Sequence, residues 1–280
     1  MKISISVCQM TVTDQKEENL KKAKQMIVQS AQSGADVAIL PEIFNGPYQS
    51  ELFPIYAEKF PGPTTDFLSQ MAREYNIGII GGSIVERGED GKLYNCSFAF
   101  DHNGQLLGKH RKIHLFDVEI PGELSFRESD TLSPGNQLTA FVYKQIRFGV
   151  MICYDVRFPE LARLLALSGV QVLVIPAAFN TITGPAHWDL LMRCRAVDNQ
   201  CYVVAASPAR NANASYQAWG YSMIVDPWGK VINQLGQSEA ILSAELDIKN
   251  VEQVKSQLPL LKHRRTDLYK LEIIAEESKK

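Results

Sequence analysis

The chain has 280 residues, of which 45% are hydrophobic, and a formal net charge of −2 at pH 7. A balance so close to neutral gives no case for nucleic acid or an anionic membrane as partner. A chain of this length buries roughly three-quarters of its unfolded surface, so it needs no disulfides to fold.

The five cysteines, Cys8, Cys96, Cys153, Cys194 and Cys201, are odd in number and form no Cys-x-x-Cys pair. That pattern speaks against a zinc ribbon and for a reducing compartment. No apolar run reaches membrane-spanning length, and the start Met1–Met10 is too short and polar for a secretory leader. The expectation is a soluble, cytoplasmic protein.

In chain order, Ile3 to Met10 alternates as a strand and Glu17 to Ser33 carries helical periodicity. Val37 to Leu40 reads as a short buried strand. Thr64 to Tyr75 reads as a helix capped by Thr64 or Thr65, and Ile77 to Val85 as a strand. Asn103-Gly104 predicts a hairpin between Asn95–Asp101 and Gln105–Gly108, and Gln137–Tyr143 with Ile146–Ile152 forms a second. A helix follows over Pro159–Ser168, a strand over Val172–Ile175, a helix over Pro185–Asn199 and a strand over Cys201–Ala206. Tyr221–Val225 and Val231–Gln234 pair across Asp226-Pro-Trp-Gly229, Ala240–Leu246 continues the sheet, and Asn250–Leu258 is a short helix. Helices and strands alternate before hairpins intrude, which points to α/β sheets covered by helices. Apolar residues run the whole length without a linker, so one domain over 1–280 is expected, with a core to about 248 and a C-terminal helix and tail over 249–280.

Three segments carry chemistry. The apolar run Phe148-Gly-Val-Met-Ile-Cys153 ends in a cysteine just before the helix at Pro159. A thiol at such a corner sits at a sheet edge, where helix-terminal N–H groups and nearby cations are expected to favour thiolate; a covalent catalyst would place its nucleophile there. Asp36-Val-Ala-Ile-Leu-Pro-Glu42 is another buried strand ending in a carboxylate, and Lys112 follows a strand in Gly108-Lys-His-Arg-Lys-Ile-His-Leu-Phe116.

Leu40-Pro-Glu42, Lys109-His-Arg-Lys112 and Ile152-Cys-Tyr-Asp155, in this order and spacing, resemble the Glu-Lys-Cys triad of the nitrilase (carbon–nitrogen hydrolase) superfamily. Phe126-Arg-Glu-Ser129, Leu132-Ser-Pro-Gly135, Thr183-Gly-Pro-Ala-His-Trp188 and Arg195-Ala-Val-Asp-Asn-Gln200 are similar to its omega-amidase branch. The resemblance implies a four-layer α-β-β-α sandwich, at least a homodimer packed near the catalytic cysteine and the tail, and hydrolysis of the terminal amide of 2-oxoglutaramate and 2-oxosuccinamate. The implied role is in nitrogen metabolism, clearing the products of glutamine and asparagine transamination.

An amide is a poor electrophile with a poor leaving group, and these residues divide the work. Cys153 suits attack on carbon. Glu42 suits taking the thiol proton, passing it to ammonia and later activating water, with burial beside another acid raising its pKa. Lys112 and the N–H of Tyr154 suit the oxyanion. Glu128 resembles the family's second glutamate, implied to hold Lys112 and the substrate amine, although a loop glutamate beside Arg127 could simply pair with it. The path runs through a thioester, with no metal or organic cofactor.

The substrate's carboxylate needs a partner, and arginine is the natural bidentate one. Arg157 could supply it, or could form an ion pair with Asp155 or Glu160; Thr183 and Tyr48 could hydrogen-bond the same group from neighbouring loops. His110 and His114 have ligand-like spacing without a third ligand and read as a hydrogen-bonded pair. Trp188 and Trp219 could line the pocket or the core. The alternatives are an N-carbamoyl amidohydrolase or other aliphatic amidase of the same superfamily, and a catalytically silent binding protein on the same fold.

Overall fold

The computed structural model describes residues 1–274; residues 275–280 of the expected tail lie outside the described part. Its first half comprises β1 (Lys2–Gln9), α1 (Lys16–Gln32), β2 (Val37–Ile39), α2 (Phe53–Tyr56), α3 (Pro63–Glu74), β3 (Gly78–Ile80), β4 (Ile84–Arg87), β5 (Leu93–Phe100), β6 (Leu106–Arg111), β7 (Asp117–Ile120) and β8 (Leu124–Arg127). The second half comprises β9 (Thr139–Tyr143), β10 (Ile146–Val150), α4 (Pro159–Leu167), β11 (Val172–Pro176), α5 (Thr183–Asn199), β12 (Tyr202–Ala206), β13 (Met223–Val225), β14 (Val231–Gln234), β15 (Ala240–Asp247) and α6 (Lys249–Gln257).

A seven-stranded sheet has the order β15-β1-β2-β3-β5-β4, with β6 also on β5; a six-stranded sheet runs β14-β13-β12-β11-β10-β9. Each has a parallel centre, β1-β2-β3 in one and β10-β11-β12 in the other, flanked by antiparallel strands. Strand periodicity of two explains how they stack. Ile3, Ile5 and Val7 of β1, Val37 and Ile39 of β2, Phe148 and Val150 of β10 and Val172 and Val174 of β11 share one core between the sheets. The opposite faces bury Cys8, Ala38 and Ile79 with Met26 and Ile27 of α1 and Leu68 and Met71 of α3. Leu173, Ile175 and Val203 lie with Leu161 and Leu165 of α4 and Trp188 and Met192 of α5. The result is four layers, α-β-β-α. Among the described residues no helix is long and apolar enough to cross a membrane.

Three local expectations need correction, and one hairpin is additional. The strand expected over Ile77–Val85 is two strands, β3 and β4, with β5 between them. Gly82 turns the chain at φ +54°, where a Cβ would meet the Pro41 carbonyl at 2.0 Å. This turn places Ser83 Oγ to accept the Ile43 N–H at 2.9 Å, beside Glu42. The α3 helix starts at Pro63, not after Thr64 or Thr65: Gly62 is its cap and its N–H donates to Thr65 Oγ1 at 2.9 Å. The α5 helix begins at Thr183, because Asn180 Oδ1 accepts the Thr183 N–H at 2.8 Å. The β7–β8 hairpin was passed over, although Val118 and Ile120 alternate with polar residues and pair across the turn with Phe126 and Leu124, as a half-buried hairpin should.

Candidate active site

Glu42 follows β2, Cys153 follows β10 and Ala178 follows β11, so the carboxyl ends of three central strands from two sheets converge, the usual place for a site in parallel sheets. Lys112 directly follows β6. Its N–H donates to the Asn95 carbonyl at 2.8 Å and its own carbonyl accepts from Gly135 at 2.8 Å, so its backbone is clamped on both sides. A Cβ at Gly135 would lie 2.3 Å from the Arg111 carbonyl, which explains the glycine in Leu132-Ser-Pro-Gly135.

The Lys112 ammonium is buried between two carboxylates, donating to Glu42 Oε1 at 3.0 Å and Glu128 Oε2 at 2.8 Å. Asn95 Nδ2 donates to Oε1 of both glutamates, at 2.8 Å and 3.2 Å. The Tyr48 hydroxyl lies 3.4 Å from each of them and accepts from Lys112 at 3.3 Å. The Ala178 N–H donates to Glu42 Oε2 at 2.7 Å. Glu128 Oε2 also accepts the Phe116 N–H at 2.7 Å, and Arg127 pairs with Asp130, so the alternative pairing of Glu128 with Arg127 is not found.

Two buried carboxylates face one ammonium, which leaves one negative charge without a counter-charge. Burial works against the Lys112 charge, but Glu128 and Glu42 outweigh it and hold the ammonium well above its usual range. Burial pushes the Glu42 carboxyl up; Lys112 opposes this and Glu128 adds to it. A proton on Glu42 is therefore less costly than on an exposed glutamate.

Cys153 adopts φ +46° at the start of a 3₁₀ turn over Cys153–Arg157. A non-glycine residue there costs about 1–3 kcal/mol, and the turn aims the sulfur off the strand end. The Tyr154 N–H lies in the first turn, where amides have no intrahelical acceptor; its ring packs edge-on to Phe116 at 5.2 Å and Phe158 at 5.4 Å. The expected thiolate is not what the surroundings favour. Burial and then the Glu42 charge push the Cys153 thiol well above its usual range, against Lys112. These surroundings favour the thiol over the thiolate.

Asp155 joins the segments that carry Lys112 and Cys153. Its Oδ1 accepts the His114 N–H at 2.9 Å and contacts His114 Nδ1 at 2.8 Å, while Oδ2 accepts the Ile152 N–H at 3.0 Å and lies 3.3 Å from His110 Nε2. The histidines on either side of Lys112 are thus tied to the residue before Cys153 through one buried carboxylate. Burial pushes Asp155 up, but the His110 and His114 hydrogen bonds outweigh it and hold it below its usual range.

Arg157 makes neither of the ion pairs considered for it. Asp155 is engaged by the histidines, and among the described residues no carboxylate lies within 4 Å of the Arg157 guanidinium. It lies 3.1 Å from His187 Nδ1 and 4.8 Å from the Phe179 ring centre, and walls a small chamber with Cys153, Tyr154, Thr183 and Tyr216. Thr183 Oγ1 donates to Asn180 Oδ1 at 3.1 Å. Trp188 is core, its Nε1 donating to the Tyr221 carbonyl at 2.7 Å; Trp219 stacks on Tyr221 at 4.5 Å and lines neither the chamber nor the cleft beside it.

Residues 4–256 match the family described as carbon-nitrogen hydrolase. The chain belongs to that family. It is 51% identical over 271 residues to Omega-amidase NIT2 of Xenopus tropicalis, covering 97% of this chain and 98% of that protein. Omega-amidase NIT2 of Homo sapiens is 48% identical over 269 residues, with 96% and 97% covered. Among solved structures, Nit3 of Saccharomyces cerevisiae, a member of branch 10 of the nitrilase superfamily, superposes with a TM-score of 0.86 at 42% identity, covering 94% of this chain and 97% of that one. The carbon–nitrogen hydrolase architecture and the alternation of sheets and helices thus agree.

Sequence reasoning passed over Asn95, Ala178, Asp155 and Tyr216 as parts of the site. Asn95 could have been found, since it is a polar residue in the otherwise mostly apolar strand Leu93–Phe100. Ala178 contributes through its backbone, which no side-chain pattern reports.

Proposed function

We propose that this carbon–nitrogen hydrolase is an omega-amidase, hydrolysing the terminal amide of 2-oxo dicarboxylic monoamides such as 2-oxoglutaramate and 2-oxosuccinamate to the 2-oxo acid and ammonia. The observation that carries it is the buried cluster in which Lys112 sits between Glu42 and Glu128 beside Cys153, with, on the chamber wall beside Cys153, a guanidinium that has no carboxylate partner among the described residues. Two curated relatives about half identical over nearly the whole chain bear that activity in their names.

In this reading Glu42 takes the Cys153 proton and the sulfur attacks the amide carbon, giving a tetrahedral oxyanion faced by the Lys112 ammonium and the Tyr154 N–H. Collapse breaks the carbon–nitrogen bond as Glu42 returns the proton to the departing ammonia, leaving a thioester. Water then gives a proton to Glu42 and adds to the thioester carbon; the second collapse releases the acid and restores the thiol with that proton. Glu128 holds Lys112 at 2.8 Å throughout. Arg157, with Thr183, receives the distal carboxylate, and Tyr48 orients the two glutamates.

The reading extends to one domain and a homodimer. The outer faces of α4 and α5 leave Leu167, Leu190 and Val197 exposed, apolar area of the kind that a second copy would cover; light scattering would show twice the monomer mass. Five free cysteines fit a reducing, cytoplasmic setting. The deciding assay is ammonia release from 2-oxoglutaramate by wild type and Cys153→Ala in parallel. Release that disappears in the variant supports both reaction and nucleophile, whereas none from wild type would remove the omega-amidase assignment.

A further inference from the structure

The space in front of Cys153 is divided in two. An outer cleft runs from Thr13 and Asn211 down to Glu42. An inner chamber lies against Cys153, Arg157 and Thr183 and, as it stands, has room for about one water. Among the described residues only Ala178 and Tyr216 wall both spaces, and they are joined, because the Tyr216 hydroxyl donates to the Ala178 carbonyl. The Tyr216 ring lies on Tyr48 at a centroid distance of 4.7 Å and borders a third, open depression beside Phe126. Burial pushes its phenol well above its usual range, so the hydroxyl stays a donor.

An amide that places its carbonyl on Cys153 and a carboxylate near Arg157 is far larger than one water, so the partition has to yield. Ala178 is the wrong half to move, because its N–H holds Glu42 at 2.7 Å. Tyr216 belongs to the long connection between β12 and β13. The two ends of this connection are anchored, the Ala209 N–H on the Met10 carbonyl at 2.9 Å, the Arg210 N–H on the Gln237 carbonyl at 2.8 Å and the Ser222 N–H on Gln9 Oε1 at 2.8 Å, while around Tyr216 itself Gln49 Nε2 donates to Ser215 Oγ at 2.5 Å and the Trp219 N–H to the Phe179 carbonyl at 2.5 Å.

We propose that Tyr216 is a specificity-determining door: latched on the Ala178 carbonyl it seals Cys153 from the outer cleft, and displaced it admits the amide and borders the acyl chain, limiting its length. The proposal rests on Cys153 being the nucleophile and deepens the amidase reading by assigning the residue that selects among omega-amides.

The test compares wild type, Tyr216→Phe and Tyr216→Ala. Alkylation of Cys153, located by peptide mass spectrometry, is followed with iodoacetamide and with the bulkier N-phenylmaleimide; kcat/KM is measured for omega-monoamides of four and six carbons. Removing the latch alone, in Tyr216→Phe, should speed both alkylations by about two- to tenfold, the equilibrium worth of one hydrogen bond. Removing the wall, in Tyr216→Ala, should raise the maleimide rate about tenfold more than the iodoacetamide rate and shift the kcat/KM ratio toward the longer amide. Unchanged alkylation rates in both variants, with melting unaltered, would overturn the door. If Tyr216→Ala fails to fold, Tyr216→Phe decides alone by the same criterion. Alkylation needs no substrate, so rates that shift as expected in a protein inactive on every omega-monoamide would keep the door and sink the amidase reading instead.

Discussion

Replacing Glu42 by Gln separates two effects that travel together in the wild-type site. Burial, then the Glu42 charge, hold the Cys153 thiol up, and Lys112 opposes them. The amide removes the second cause and leaves Lys112, so the thiol pKa falls and iodoacetamide alkylates Cys153 faster at a fixed pH. Turnover moves the other way, because nothing remains to protonate the departing ammonia. General acid–base assistance contributes about 10²–10⁴, and kcat for ammonia release should fall by that factor.

There is a structural cost as well. Glu42 Oε1 accepts from Lys112 and Asn95 while Oε2 accepts from Ala178. An amide has one acceptor oxygen, so its NH₂ must face a donor whichever way it turns. An unsatisfied buried group costs about 1–3 kcal/mol, and Tm should drop by several degrees. The wild-type acid limb of kcat/KM should lie above the ordinary glutamate value of 4.5, since burial raises Glu42 with Lys112 opposing and Glu128 adding; it should vanish in the variant. Paired measurements of alkylation, ammonia release and melting decide the matter. Alkylation and turnover rising together, or a folded variant within about tenfold of wild-type kcat, would refute Glu42 as the proton carrier.

Lys112→Met leaves two buried carboxylates without their cation, so stability should fall by about 3–5 kcal/mol. The loss should be partly recovered on acidification as Glu42 takes up a proton, which melts at pH 5 and pH 8 would show. Asp155→Asn should cost a similar amount, since one carboxylate serves the Ile152 and His114 amides and both histidines. Because the folded Asp155 pKa lies below 3.8, its contribution is complete above that value and is lost as pH falls through the folded pKa. The Tm gap to wild type should therefore close only below about pH 4. Arg157→Ala should lower kcat/KM for carboxylate-bearing omega-amides by about 10- to 100-fold, the worth of charged hydrogen bonds, and leave neutral aliphatic amides unaffected; equal losses on both would assign Arg157 to packing.

What the sequence determined by itself is local in origin. Alternation along Ile3–Val7 specifies a strand, the apolar runs Phe148–Ile152 and Val172–Ile175 specify strands buried on both faces, and Asn103-Gly104 specifies a turn, because the relevant interactions lie within a few residues. Glu42, Lys112 and Cys153 stood out because each polar group lies just beyond the carboxyl end of a strand. Tertiary structure decided the rest, since protonation and partnership depend on neighbours remote in the chain. Glu42 meets Lys112 seventy positions away and the Ala178 amide 136 positions away. Cys153 becomes a guarded thiol only in that company. Among the described residues Arg157 has no carboxylate partner, Asp155 being engaged by His110 and His114, and Tyr216 reaches the site only through the path of a long connection. No pattern within either segment encodes those meetings; they arise from the stacking of two sheets, which brings the ends of strands from both halves of the chain to one point.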